Sequence, residues 1–60
     1  MYFKDAEVGK IFYWGGRPLL KIEELTCTEN TWRGKRNAII MDGTGKATYF
    51  FPNEPVKDQL

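Results

Sequence analysis

Ala38-Ile39-Ile40-Met41-Asp42-Gly43-Thr44-Gly45-Lys46-Ala47-Thr48-Tyr49-Phe50-Phe51 sets two short apolar runs on either side of a turn built from Asp, Gly and Thr. The runs are rich in Ile, Tyr and Phe, and two glycines separate them, which is the pattern of a β-hairpin. A three-residue loop, Gly43-Thr44-Gly45 with Gly45 left-handed, sets Asp42 opposite Lys46. Ile39, Met41, Ala47, Tyr49 and Phe51 then share a wholly apolar face, expected to be core. Ala38, Ile40, Asp42, Lys46, Thr48 and Phe50 share a mixed face, expected to meet solvent or a partner. Ile40 and Phe50 are therefore expected as exposed neighbours.

Working outward from this hairpin, the apolar segments predict strands over 10–14, 17–25, 32–41 and 46–51, joined as three consecutive hairpins in a meander. The residues before them, Phe3 to Gly9, form a polar lead-in turn between apolar anchors, with Gly9 able to take the positive φ that redirects the chain. In the first hairpin, a two-residue Gly15-Gly16 loop groups Ile11, Tyr13, Leu20 and Ile22 on one face. A three-residue loop through Arg17 groups Phe12, Trp14, Leu20 and Ile22 instead. The second arrangement puts larger apolar groups inside and is preferred, leaving Tyr13 and Leu19 outside beside Lys21. The tail Pro52-Asn53-Glu54-Pro55-Val56 lacks two ladder donors and reads as an exit turn, with Val56 closing along an edge. The chain is thus expected to be all-β and a single domain over 1–60.

Composition narrows the chemistry. A domain of 60 residues buries only ~60% of the surface its unfolded chain exposes, so its stability is thin. The single cysteine, Cys27, forms no intrachain bridge, and no signal peptide or long apolar run is expected, which points to a reducing cytoplasm and no membrane partner. Net charge is +1, too small for a general nucleic-acid coat. Nine aromatic residues are more than a core this small encloses, so some are expected at the surface.

The stretch Phe3-x-Asp5-x-x-Val8-Gly9-x-x-Phe12-x-x-Gly15, followed by Lys21-Ile22, Asn37-Ala38 and Thr44-Gly45-x-x-x-Tyr49-Phe50-x-Pro52, resembles small phage and prophage proteins with SH3-like barrels. The resemblance implies a single SH3-like β-barrel of about five antiparallel strands, the tail supplying a short last one. It also implies a phage origin and the cytoplasm of a bacterial host. The acidic aromatic motif near the start of eukaryotic peptide-binding SH3 domains is absent, so proline-ligand recognition is not carried over.

No catalytic residue, metal site or cofactor is expected. The chain has no histidine and no serine, so Cys27 lacks a histidine to activate it. Glu23 and Glu24 are adjacent in a strand and point to opposite faces. Asp42-Gly-Thr-Gly supplies one carboxylate where a calcium loop needs several oxygen ligands. Two binding surfaces remain. One is apolar, formed by Ile40 and Phe50 with Tyr13, Leu19 and Trp32, and predicts a non-catalytic module that docks on another protein, with homo-oligomer formation through the same face as a variant. Under the phage resemblance that partner is a host or phage macromolecule, including a host defence factor, which is inhibited or redirected. The other surface is basic, Trp32, Arg33, Lys35 and Arg36, where an indole and three cations offer phosphate contacts and base stacking. A strand sends Arg33 and Lys35 to one face and Trp32 and Arg36 to the other, which makes nucleic-acid binding the alternative. A structural subunit of a larger assembly is a further alternative.

Overall fold

The computed structural model describes residues 1–26 and 34–59. Its frame is one open antiparallel sheet in the order β1 (Ile11–Trp14), β2 (Arg17–Thr26), β3 (Lys35–Ile40), β4 (Ala47–Thr48). The expected meander is present, and the lead-in becomes a single 3-10 turn at Phe3–Asp5. Among the described residues no helix is long and apolar enough to cross a membrane. Cys27, Trp32 and Arg33 lie outside the described residues.

The first hairpin corrects the expected loop. Trp14 pairs with Arg17, Tyr13 with Pro18, Phe12 with Leu19 and Ile11 with Leu20, so the loop is the two residues Gly15-Gly16. Their φ values of 60° and 78° are those of a type I′ turn, whose twist matches that of the flanking strands. The consequence is that Leu19, expected outside, faces inward with Phe12 and is only 3% exposed.

The last hairpin corrects the assignment of faces. Gly45 is left-handed as expected, at φ 72°, but Gly43 is as well, at φ 89°. The ladder closes two residues earlier on β3, with the Ile40 N–H donating to the Lys46 carbonyl at 2.8 Å and Ala38 opposite Thr48. This two-residue shift preserves which residues share a face. What reverses is the face that is covered: Ala38 and Phe50 are buried and Ile40 packs against them, whereas Met41, Ala47 and Phe51 are exposed.

Tertiary contacts decide that reversal. The lead-in turn and the tail pack together over the Phe50 side, the Phe3 N–H donating to the Glu54 carbonyl at 2.9 Å and the Lys4 N–H to the Pro52 carbonyl at 3.0 Å. Phe3, Phe12 and Phe50 then meet as a triad with centroids 5.3 to 5.4 Å apart, one stacked pair and two edge-to-face pairs. Such pairs add ~0.5–1.5 kcal/mol each beyond the area they bury. Leu19, Ala38 and Val56 complete the core. Two isolated bridges hold the tail, Tyr13 to Lys57 joining it to β1 and Tyr2 to Pro55 joining it to the lead-in. Lys21, expected in solvent, sends its ammonium to the Phe3 and Ala6 carbonyls at 2.9 and 2.6 Å and lies 4.4 Å from the Phe3 ring centre, tying β2 to the lead-in turn.

Candidate functional site

The buried face of the sheet is incompletely covered at the end nearest the Gly15-Gly16 turn. There Leu19, Ile40 and Phe50 form the floor of an open groove of about 290 Å³. The three belong to β2, β3 and the segment after β4, and they share a face because Leu19 lies opposite Ile40 in the ladder. Trp14 makes one wall. It is the last residue of β1, its indole sits edge-on to Phe50 at 5.6 Å, and it remains 48% exposed. Phe51 makes another wall, 53% exposed and edge-on to Tyr49 at 5.4 Å. Arg17 and Glu54 supply a cation and an anion at the rim. Among the described residues the one ion pair is elsewhere, so neither of these charges is neutralised by a partner within 4.0 Å.

The far side of the Phe50 segment is fixed by Asn37. Its Nδ2 donates to the Phe50 carbonyl at 2.9 Å and its Oδ1 accepts the Phe50 N–H at 2.8 Å. A buried side-chain amide thus stands in for the backbone ladder where β4 has ended, and fixes the Phe50 backbone, whose ring forms part of the floor. This arrangement can grip an apolar or aromatic side chain between two rings and orient it by charge at either end.

Three of the residues expected to bind protein, Leu19, Ile40 and Phe50, are therefore brought together, but as a floor. Phe50 is only 7% exposed, which corrects its expected place as a surface anchor. Tyr13 is half-buried and lines a separate groove between β1 and the tail, with Met1 and Lys57. Trp14 and Phe51, both read as core from the sequence, are the exposed rings that wall the groove. The signal was the Gly15-Gly16 doublet, whose two-residue loop is the arrangement not preferred above: as a type I′ turn it sets Leu19 beside Phe12 and leaves Trp14 at the hairpin end, beyond the core.

Of the basic segment, Lys35 and Arg36 are described and both are half-buried. The Lys35 ammonium pairs with Glu24 at 3.8 Å, and the Arg36 guanidinium donates to the Lys35 carbonyl at 2.7 Å. The two cations are thus partly engaged within the protein. Comparison of the chain with protein-family models, with curated proteins and with solved structures finds no match. The class defined by the fold and groove is a small all-β domain on one open four-stranded antiparallel sheet.

Proposed function

We propose that this protein is a non-catalytic protein-binding module whose groove between Trp14 and Phe51 receives an apolar side chain of a partner. The observation that carries this is the half-exposed indole of Trp14 beside a floor of Leu19, Ile40 and Phe50. Interface anchors are enriched in Trp and Arg, and a ring already held by its neighbours loses little freedom on binding. The two tail bridges, Tyr2 to Pro55 and Tyr13 to Lys57, support a finer fold reading, an SH3-like barrel in which the tail acts as a vestigial fifth strand. With the phage resemblance, the partner is a macromolecule of a bacterial cytoplasm that is inhibited or redirected on binding.

The test is capture from bacterial lysate on the immobilised protein, with and without nuclease, followed by titration of the retained partner. A stoichiometric protein that survives nuclease, binds with little dependence on salt and loses affinity at least tenfold with Trp14→Ala is the expected result. A captured protein that binds Trp14→Ala as well as wild type would remove the groove from the interface. Nucleic acid retained alone, with affinity falling steeply as salt rises, would transfer the function to the basic segment.

A further inference from the structure

β4 is an edge of the open sheet, and an edge strand turns its backbone groups to its neighbour only at alternate residues. The Lys46 carbonyl accepts the Ile40 N–H, Thr48 lies opposite Ala38, and Asn37 holds the Phe50 N–H and carbonyl. Ala47 and Tyr49, between these, turn their N–H and carbonyl groups away from β3. Among the described residues those two donors and two acceptors have no hydrogen-bond partner. The opposite edge is protected. There the Tyr13 N–H and carbonyl are paired with Lys57 of the tail at 2.7 and 2.9 Å, and Asp5, Glu7, Lys10 and Asp58 border Ile11. Cover and charge are the usual defences of a sheet edge, and Ala47 to Phe51 carries no charge. Thr48 to Phe51 also borders the groove floored by Leu19, Ile40 and Phe50.

We infer that the partner supplies an extended, uncharged peptide segment that lies beside β4 as an added strand, its backbone bonding Ala47 and Tyr49. This rests on the reading of the groove as a protein-binding site and says in what form the partner reaches it. Free donors and acceptors at residues two apart repeat every ~7 Å, the repeat of another strand's backbone. In strand addition the main chain gives affinity, and pockets for alternate side chains give specificity. The side chains of the added segment that share the face of Thr48 and Phe50 stand at the groove, which takes one large apolar residue. The turn residue Lys46 and Pro52, which has no N–H to donate, bound the edge and limit the pairing to roughly five residues.

The probe is a set of linear peptides selected on the immobilised protein from a displayed random library, and the readout is amide hydrogen exchange by NMR. Selected peptides are expected to be apolar at alternate positions, and a synthetic one to slow exchange at Ala47 and Tyr49 at least tenfold. The Phe50 amide, already bonded to Asn37, is expected to be slow before any peptide is added. Ala47→Pro removes an outward N–H and no internal bond, so it is expected to stay folded and to bind peptide at least tenfold more weakly. Should circular dichroism show that variant unfolded, an ester in place of the Thr48–Tyr49 amide decides, since it removes the other outward donor and keeps every side chain. A library that yields no binder overturns the inference, as does a bound peptide that leaves exchange at Ala47 and Tyr49 unchanged. Exchange slowed by raising the concentration of the protein alone would seat a second copy on the edge and overturn it too. Binding lost in Trp14→Ala but kept in Ala47→Pro overturns the added strand and leaves the groove reading standing. Protection of both amides with Trp14→Ala binding as wild type upholds the strand and removes the groove.

Discussion

Asn37 completes the sheet at a point where the backbone of β4 has stopped doing so. Asn37→Ala leaves the Phe50 N–H and carbonyl buried without partners, at a cost of ~1–3 kcal/mol each. A domain of this size has a stability of order 5 kcal/mol, so urea denaturation should find the variant close to unfolded. Asn37→Asp sets a carboxylate against the Phe50 carbonyl, and its stability should recover in acid, where a protonated carboxyl can donate. Asp42 acts on the opposite sign. The Thr44 hydroxyl donates to its Oδ1 at 2.6 Å and the Thr44 N–H at 3.0 Å, which holds its pKa below the ordinary value of 3.8. A depressed pKa means that this support of the turn is fully present above the ordinary carboxylate range. It is lost as pH falls through the lowered value. An NMR titration of the Asp42 carboxyl should give a midpoint below 3.8, and Thr44→Val should raise it.

At the scale of the elements, the two outer hairpins show where pattern and geometry part. The Gly15-Gly16 turn needs positive φ at both positions, and no atom lies within 4 Å of a Cβ built on either. Gly16→Ala therefore carries only the left-handed backbone penalty, ~1–2 kcal/mol. Gly15→Asn is expected to be neutral or stabilising by up to ~1 kcal/mol, because Asn-Gly is the favoured type I′ pair and restricts the unfolded chain. Thermal melts of the two variants should move in opposite directions or differ by several degrees. A three-residue loop through Arg17 would not impose this asymmetry. The strands and their order were legible from apolar runs and glycine positions. Register was not, because runs such as Leu19-Leu20 and Ala38-Ile39-Ile40 fit either face equally well and so leave a one-residue slip without a local penalty.

At the scale of the whole molecule, Phe50 and Trp14 separate stability from binding. Phe50→Ala removes the ring at the centre of the core triad and should cost ~3–5 kcal/mol, enough to unfold most of the protein. Trp14→Ala removes one edge-to-face contact and should cost about 1 kcal/mol, leaving a folded protein in which only groove binding is impaired. Chemical denaturation of both variants, with near-UV circular dichroism for packing, checks the pair. The sequence by itself determined the all-β class, the meander, the positions of the glycine turns and, in the last hairpin, the membership of each face, since these follow from local periodicity and backbone conformational limits. Only the tertiary structure decided which face was core and which residues bordered a groove. Within the strands both faces carry apolar residues, and the charges that made one face read as mixed, Asp42 and Lys46, lie in the turn, so the choice falls to long-range contacts: Phe3 and Val56, more than 50 residues apart in the chain, close over Phe12, Leu19 and Phe50.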